Sequence, residues 1–227
     1  MSDAMTDSPP ADPKPPAPVS PEELAAFLAA RLVHDCINSA GAIVSGLGML
    51  DDPTMKDMRD DAMVLITGSA HKLADTLAFS RVAFGASAAA EAFDSKELET
   101  LARGVYAHVR PELEWAIEPR SLNKPAARAV LNLAQIGAGA LPAGGLARVE
   151  ARDANGRLFL TVDAKGPRAR LHPEVVTGLK GERLEDGLVG RWVQAYYLNA
   201  VVKAAGGSLR MAVSEDEVRL GANLPAG

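Results

Sequence analysis

Cysteine is almost absent from this sequence of 227 residues. The single Cys36 excludes an intramolecular disulfide and a cysteine-based zinc cluster, and a lone thiol fits a reducing compartment. Aromatic residues are also scarce, at 4% of the chain against 48% for hydrophobic residues as a whole, which favours packed helices over an aromatic-rich sandwich. The net charge of −5 offers no general basic surface to a nucleic acid.

A membrane segment and a secretory signal are not expected either. No apolar run approaches the roughly 20 residues that a spanning helix needs, and the N-terminus has no basic segment followed by an apolar one. The four histidines show no metal-ligand spacing, and the Gly-x-Ser-x-Gly motif of hydrolases is missing. The sequence therefore predicts a cytoplasmic protein without a metal site, a membrane contact or a nucleic-acid partner.

The first part of the chain is predicted to be a proline-rich tail followed by a long helix. Residues 1–20 are rich in proline, alanine, aspartate and serine, and we expect them to be disordered. Ser20-Pro21-Glu22-Glu23 has the pattern of a capping box and marks the start of a helix. Apolar residues then recur at helical spacing, at Leu24, Leu28, Leu32, Cys36, Ile43, Leu47 and Leu50.

A second helix follows Asp51-Asp52-Pro53, with an almost heptad apolar pattern from Met55 to Leu77. Two such helices with a short link predict an antiparallel hairpin over residues 21–87. A lone hairpin cannot cover its own apolar stripe. We therefore expect the hairpins of two chains to form a dimeric four-helix bundle.

Residues 88–227 have a different pattern, in which helices alternate with mostly antiparallel strands. The predicted helices are 94–108, 124–137 and 188–205, and the predicted strands are 113–117, 147–152, 157–163, 208–213 and 218–224. This order predicts an α/β sandwich after the hairpin, and hence an α+β fold class for the whole chain.

His34 is the residue best suited to chemistry. On a helical wheel it lies opposite the leucine stripe, so we expect it to face solvent. Imidazole can accept a phosphoryl group at one nitrogen while the other keeps a hydrogen-bonded proton. Asp35 could hold that proton, and Arg31 could neutralise phosphoryl charge. Asn38, one turn further on, could bond the phosphoryl oxygens or an incoming carboxylate.

Residues expected to contact partner proteins lie around His34, namely Phe27, Arg31, Ile37, Gly41 and Ser45. Phe27 is an apolar residue on a polar face, and either a partner contact or an incidentally exposed ring would explain it. For His34 itself, the alternative to a chemical role is an ordinary solvated His–Asp pair on a helix.

The segment Leu32-Val33-His34-Asp35-Cys36-Ile37-Asn38 resembles the H-box of bacterial sensor histidine kinases, with Ser39 in place of the usual proline. The predicted hairpin is similar to their dimerisation and histidine-phosphotransfer (DHp) domain. Residues 88–227 resemble their ATP-binding domain, of the Bergerat type, in degenerate form. Val130-Leu131-Asn132-Leu133-Ala134-Gln135 looks like the start of the N-box, but Ile136 stands where an Asn should hold Mg²⁺–ATP.

The glycine-rich boxes of that domain are also degenerate. Asp163-Ala164-Lys165-Gly166-Pro167 is similar to an Asp-x-Gly-x-Gly box with its glycines missing or displaced, and Gly187-Leu188-Val189-Gly190 is a reduced lid box. Lys165 and Arg168 stand where the backbone would have to approach nucleotide phosphates.

An intact H-box beside a degenerate nucleotide site resembles the ChpT-type histidine phosphotransferases of alphaproteobacterial phosphorelays, over about residues 21–227. The resemblance implies a homodimer that accepts a phosphoryl group on His34 from the receiver domain of a hybrid histidine kinase (CckA-like). The group would pass to cell-cycle response-regulator receivers (CtrA-like and CpdR-like). The resemblance also implies that the chain does not bind ATP and holds no cofactor, with Mg²⁺ bound by the partner receiver.

Two further questions stay open at this point. Arg168 and Arg170 are expected to form part of the surface on which receivers dock, the alternative being that the second region only stabilises the dimer. The whole chain could also be an active histidine kinase with an unusual nucleotide site, or a non-catalytic dimeric adaptor that binds receivers.

Overall fold

A computed structural model describes residues 18–85, 91–184 and 190–226. The chain begins with two long antiparallel helices, α1 (Pro21–Asp51) and α2 (Arg59–Ala83), linked by a 3₁₀ turn (Pro53–Met58). Ser20 caps α1 as predicted: its hydroxyl accepts the Glu23 N–H at 3.1 Å, and the Glu23 carboxylate accepts the Ser20 N–H at 3.0 Å. Most of the predicted tail, residues 1–17, lies outside the described residues.

The two helices approach each other closely at Gly46, which is buried. A Cβ atom at this position would lie 2.6 Å from Ile66 Cγ1 and 3.2 Å from the Ala62 carbonyl oxygen. Ala62 is also fully buried. The glycine therefore lets the backbones of α1 and α2 come together where any side chain would push them apart.

The hairpin also presents an apolar face to solvent. On α1, Val33, Ile37, Val44 and Leu47 follow a heptad pattern and are 55%, 61%, 68% and 48% exposed. Leu77 on α2 is 47% exposed. No described part of the chain covers this face, which is larger than the scattered apolar residues of an ordinary protein surface.

The exposed residues Val33, Ile37 and Val44 add to the predicted leucine stripe, so α1 carries apolar residues on more than one face. By length and composition alone, α1 could cross a membrane, contrary to the expectation that the chain has no such run. A single helix of this kind is weak evidence for a membrane span, because an apolar segment near the N-terminus passes the same test without spanning a membrane in the folded protein. Arg31, His34 and Asp35 lie in the middle of this helix.

The second part of the chain is a two-layer unit of helices and strands, so the α+β fold class is confirmed. Its helices are α3 (Ser95–Tyr106), α4 (Lys124–Gly139), α5 (Pro173–Lys180) and α6 (Gly190–Ala204), and its strands are β1 (Ala92–Asp94), β2 (Glu112–Ile117), β3 (Ser121–Asn123), β4 (Leu146–Ala154), β5 (Arg157–Lys165), β6 (Ser208–Ser214) and β7 (Glu217–Pro225). β1 and β3 form a small antiparallel sheet, and the main sheet has the strand order β2-β4-β5-β7-β6. Its neighbouring strands are antiparallel except for the parallel pair β2–β4.

One face of the main sheet packs on helices and the other faces solvent. Val149 and Leu160 point inward and are 0% exposed. On the outer face, opposite charges pair along and across the strands, as where Arg148 contacts Glu114 and Glu150 at 2.9 and 2.7 Å. This alternation gives the sheet one apolar and one charged side.

Polar contacts hold the hairpin against this second part. His108 Nε2, just after α3, lies 2.7 Å from the Asp75 carboxylate on α2. Near the start of α1, Glu23 pairs with Arg183 at 2.9 Å. These contacts join both helices of the hairpin to the second part of the chain. The predicted boundary between residues 87 and 88 falls within 86–90, outside the described residues.

Candidate functional site

His34 lies in the middle of α1, and its side chain is 77% exposed, as the helical pattern predicts. Asp35 Oδ1 is 3.5 Å from His34 Nδ1, at the outer limit of a hydrogen bond. The carboxylate favours the tautomer with its proton on Nδ1, which leaves a lone pair on Nε2. Nε2 is therefore the nitrogen available for attack on an incoming group.

The His34 face of α1 is open on its C-terminal side. Asn38, Gly41 and Ser45 follow His34 at one, two and three turns and are exposed. Ile37 lies about 60° round the helix from His34, where this face meets the apolar stripe. The five residues share one accessible surface. The catalytic role of Asn38 and the roles of Ile37, Gly41 and Ser45 in partner binding stay predictions.

The N-terminal side of the same face is covered, and the expectation of an exposed Phe27 is wrong. Its ring packs edge-on against Trp192 of α6, with 5.9 Å between the ring centroids. A helical wheel places Phe27 on the polar face of α1 but carries no information about α6, which arrives from more than a hundred residues further along the chain. A partner contact by the remaining edge of the ring stays a prediction.

Arg31 also belongs to this covered side. Its side chain is 13% exposed, and its Nε lies 3.5 Å from Asp35 Oδ2. Its Nη1 donates to the Gly190 carbonyl oxygen at 2.5 Å. Burial lowers the pKa of the Arg31 guanidinium, and the Asp35 carboxylate opposes that shift. Arg31 thus joins α1 to α6 and orients Asp35, which the sequence did not predict.

A pocket of about 590 Å³ lies between α1 and the start of α6, with His34 in its wall. Its lining comes from both parts of the chain: Phe27, Ala30, Arg31, His34, Asp35, Gly190, Arg191 and Val193. The last three residues were not predicted to line the site. The signal for them in the sequence is the reduced lid box, which ends at Gly190 and is followed directly by Arg191; its first three residues lie outside the described residues. The pocket is large enough for a phosphoryl group and open enough to admit one.

The remnant of the N-box is used for structure. Asn132 is 0% exposed, and its Nδ2 donates to the Ala83 carbonyl at 3.0 Å and to the Arg128 carbonyl at 2.9 Å. Its Oδ1 accepts from Gln194 at 3.1 Å. The amide therefore ties α4 to the end of α2 and to α6. Among the described residues, no three His, Cys, Asp or Glu side chains are placed to hold a metal ion.

The two arginines predicted to dock receivers, Arg168 and Arg170, lie in different surroundings. Arg168 has a φ of 62° and donates its backbone N–H to Asp216 Oδ1 at 2.7 Å, so it is held at the turn between β6 and β7. Arg170 instead lines a second pocket of about 240 Å³, whose wall also includes Arg31 and Arg191. Arg170 is thus near the covered side of the His34 face. Docking by either arginine stays a prediction.

Comparisons with known proteins agree with this arrangement. Residues 95–217 match the family described as the histidine phosphotransferase C-terminal domain. The protein phosphotransferase ChpT of Brucella abortus (strain 2308) is 31% identical over 206 residues, which make up 89% of this chain and 96% of that relative. A solved structure described as a bacterial phosphotransferase is 29% identical with a TM-score of 0.82, and the match covers 92% of this chain and 100% of that one.

These matches take in most of the helical hairpin as well as the sheet domain. They confirm the architecture of a DHp-like hairpin followed by a degenerate ATPase-like unit, and the resemblance seen in the sequence. The chain belongs to the histidine phosphotransferase family and is a ChpT-type protein of a phosphorelay.

Proposed function

We propose that His34 is the phosphoryl carrier of this phosphotransferase and that the chain is not an autokinase. His34 would accept the group from the receiver aspartate of a hybrid histidine kinase (CckA-like) and pass it to response-regulator receivers (CtrA-like and CpdR-like) that control the cell cycle in the cytoplasm. The observation that carries the proposal is the exposed imidazole, 77% accessible, with Asp35 on its Nδ1 side and Nε2 free.

The chemistry at His34 is a reversible exchange of one bond for another. Nε2 attacks phosphorus in line with the bond to the receiver aspartate; the N–P bond forms as the acyl O–P bond breaks, and the carboxylate leaves. Asp35 stabilises the charged ring through Nδ1–H. Asn38, exposed one turn on, is placed to bond the phosphoryl oxygens or the carboxylate. Mg²⁺ would come with the receiver, whose acidic residues bind it.

Two observations support the absence of ATP binding. Asn132 of the degenerate N-box is 0% exposed, and its amide is occupied by the Ala83 and Arg128 carbonyls and by Gln194. Gly166 lies against the backbone of residues 144–145, where an added Cβ would meet the Gly144 carbonyl oxygen. The segment after β5 is thus packed on the loop before β4. Lys165 pairs with Glu217 at 3.6 Å.

The proposed partner of the hairpin is a second copy of this chain. Val33, Val44 and Leu47 form an exposed apolar stripe about 80–140° round α1 from His34. A second hairpin would bury this stripe in a four-helix bundle and leave the His34 face accessible. Ile37 and the small residues Gly41 and Ser45 would then form the surface against which a receiver packs. Arg168 and Arg170 would extend that surface onto the second part of the chain, unless that part serves only to stabilise the dimer.

The test is a transfer assay with a phosphorylated receiver as donor and a second receiver as acceptor. Wild-type protein should become labelled and pass the label on, whereas His34→Ala should do neither. His71→Ala, which removes another exposed histidine on α2, is the matched control and should behave as wild type. Unchanged relay through His34→Ala would remove the phosphoryl-carrier role and leave an adaptor. Labelling of His34 by ATP alone would show an active kinase.

A further inference from the structure

The pocket beside His34 contains an arginine that the phosphorelay chemistry described so far does not use. We propose that this pocket holds the phosphoryl group of phosphorylated His34 and that Arg191 of α6 is a catalytic residue that binds its oxygens. The inference rests on the proposed function of His34, and it assigns to the degenerate domain a direct part in the chemistry.

The charges in the pocket single out Arg191. Among the described lining residues the ionisable groups are Arg31, His34, Asp35 and Arg191. Arg31 is largely buried, 3.5 Å from Asp35, and already donates to the Gly190 carbonyl. These two opposite charges balance each other across the pocket wall. With Arg31 and Asp35 balanced, Arg191 gives the pocket lining a net positive charge. Its side chain is 61% exposed.

Arg191 is free enough to change partners. Its Nη1 lies 3.9 Å from Glu174 Oε1, at the long end of an ion pair, and the same oxygen is 4.0 Å from His172 Nδ1. Contacts of this length between partly exposed groups are weak. A phosphoryl group carries up to two negative charges and matches the fork of a guanidinium. We expect it to draw Arg191 away from Glu174.

The junction between α1 and α6 sets the position of Arg191 in the pocket. Arg191 follows Gly190, whose carbonyl accepts the Arg31 hydrogen bond. The contact that fixes α6 on α1 therefore also places Arg191 in the wall of the pocket that His34 lines. Phe27 packed on Trp192 secures the same junction one turn earlier on α1. Charge neutralisation at a fixed site is the main help that a protein gives to phosphoryl transfer.

The experiment uses potassium phosphoramidate as a small phosphoryl donor, so that no receiver needs to dock. Nε2 of His34 attacks phosphorus, the N–P bond to histidine forms, and the N–P bond of phosphoramidate breaks with ammonia as the leaving group. The rate of labelling at His34 is followed by mass spectrometry at several donor concentrations and ionic strengths. Arg191→Ala should lower the second-order rate constant about tenfold, which corresponds to the loss of one charge-assisted hydrogen bond.

Three further variants separate chemistry from structure. Arg191→Lys should recover part of the rate, and Glu174→Gln should raise it, because Arg191 then has no competing carboxylate. Arg210→Ala removes an exposed arginine on β6 and should match wild type. The ionic-strength dependence should be weaker in Arg191→Ala than in wild type, which a purely structural role would not produce.

The outcomes distinguish this inference from the proposed function. A wild-type rate in Arg191→Ala, with His34→Ala unlabelled, would overturn the role of Arg191 and leave the role of His34 intact. Labelling that is the same in wild type and His34→Ala would overturn both. If Arg191→Ala unfolds, the comparison of Arg191→Lys and Glu174→Gln with wild type decides, and equal rates in all three would end the proposal.

Discussion

Replacing Asn132 by alanine should destabilise this protein, because its buried amide joins α4 to the end of α2 and to α6. The substitution leaves the Ala83 carbonyl, in the last turn of α2, without the amide that reaches it at 3.0 Å. Gln194 loses one of its two acceptors, at 3.1 Å, and keeps the other, Gln135. The Arg128 carbonyl keeps its partner within α4. Three hydrogen bonds are lost, and the buried Ala83 carbonyl loses this donor, so the expected cost is about 3 kcal/mol in the free energy of unfolding.

The assay for this prediction is thermal unfolding followed by circular dichroism. A loss of about 3 kcal/mol should lower Tm by about 6–12 °C in a protein of this size. Gln135→Ala is the control, since it removes one hydrogen bond to Gln194 from a partly exposed position and should cost only about 1 kcal/mol. A melting temperature for Asn132→Ala within about 2 °C of wild type would refute the structural assignment of Asn132.

Two further predictions concern the hairpin. Gly46→Ala should lower the free energy of unfolding by about 1–3 kcal/mol, because the new methyl group overpacks against Ile66. Gly48→Ala has nothing within 4 Å of the new Cβ and should raise the free energy of unfolding by up to about 1 kcal/mol through helix propensity. Denaturant titration measures both, and a change of the same sign in the two variants would contradict the close contact at Gly46. Val44→Glu should convert a dimer to monomer in analytical ultracentrifugation, because it places a charge in the proposed apolar interface. Val213→Glu, at a residue of similar exposure on β6, should leave the mass unchanged, and an unaltered dimer in Val44→Glu would argue against this face as the interface.

The sequence predicted best those elements that local signals define. The capping box at Ser20, the strand pair around Asn155-Gly156 and the helix from Lys124 all appear where spacing and turn chemistry place them. β1, β3 and α5 were missed because three-residue strands and a two-turn helix contain too few residues for a periodicity to emerge.

For the candidate site, the features that could not be predicted from the sequence are those that depend on contacts between distant parts of the chain. The exposure of His34 follows from the pattern of α1 alone, and the structure agrees with it. The partial burial of Phe27 and Arg31 depends on α6, and the inward orientation of Asn132 depends on the end of α2. No local pattern encodes these contacts. They arise only when the hairpin packs on the sheet domain, and the same packing brings Arg191 into the pocket that His34 lines.

Coverage of the His34 face on one side has a kinetic consequence. With α6 over the N-terminal half of that face, a receiver can reach a given imidazole only from the open half, where Asn38 and Gly41 lie. Donor and acceptor must then occupy the same surface in turn. Relay through each His34 should therefore follow ping-pong kinetics, with every unphosphorylated receiver acting as a competitive inhibitor of the others. The relative abundance of receivers in the cell, and not only their affinity, would set where the phosphoryl group goes.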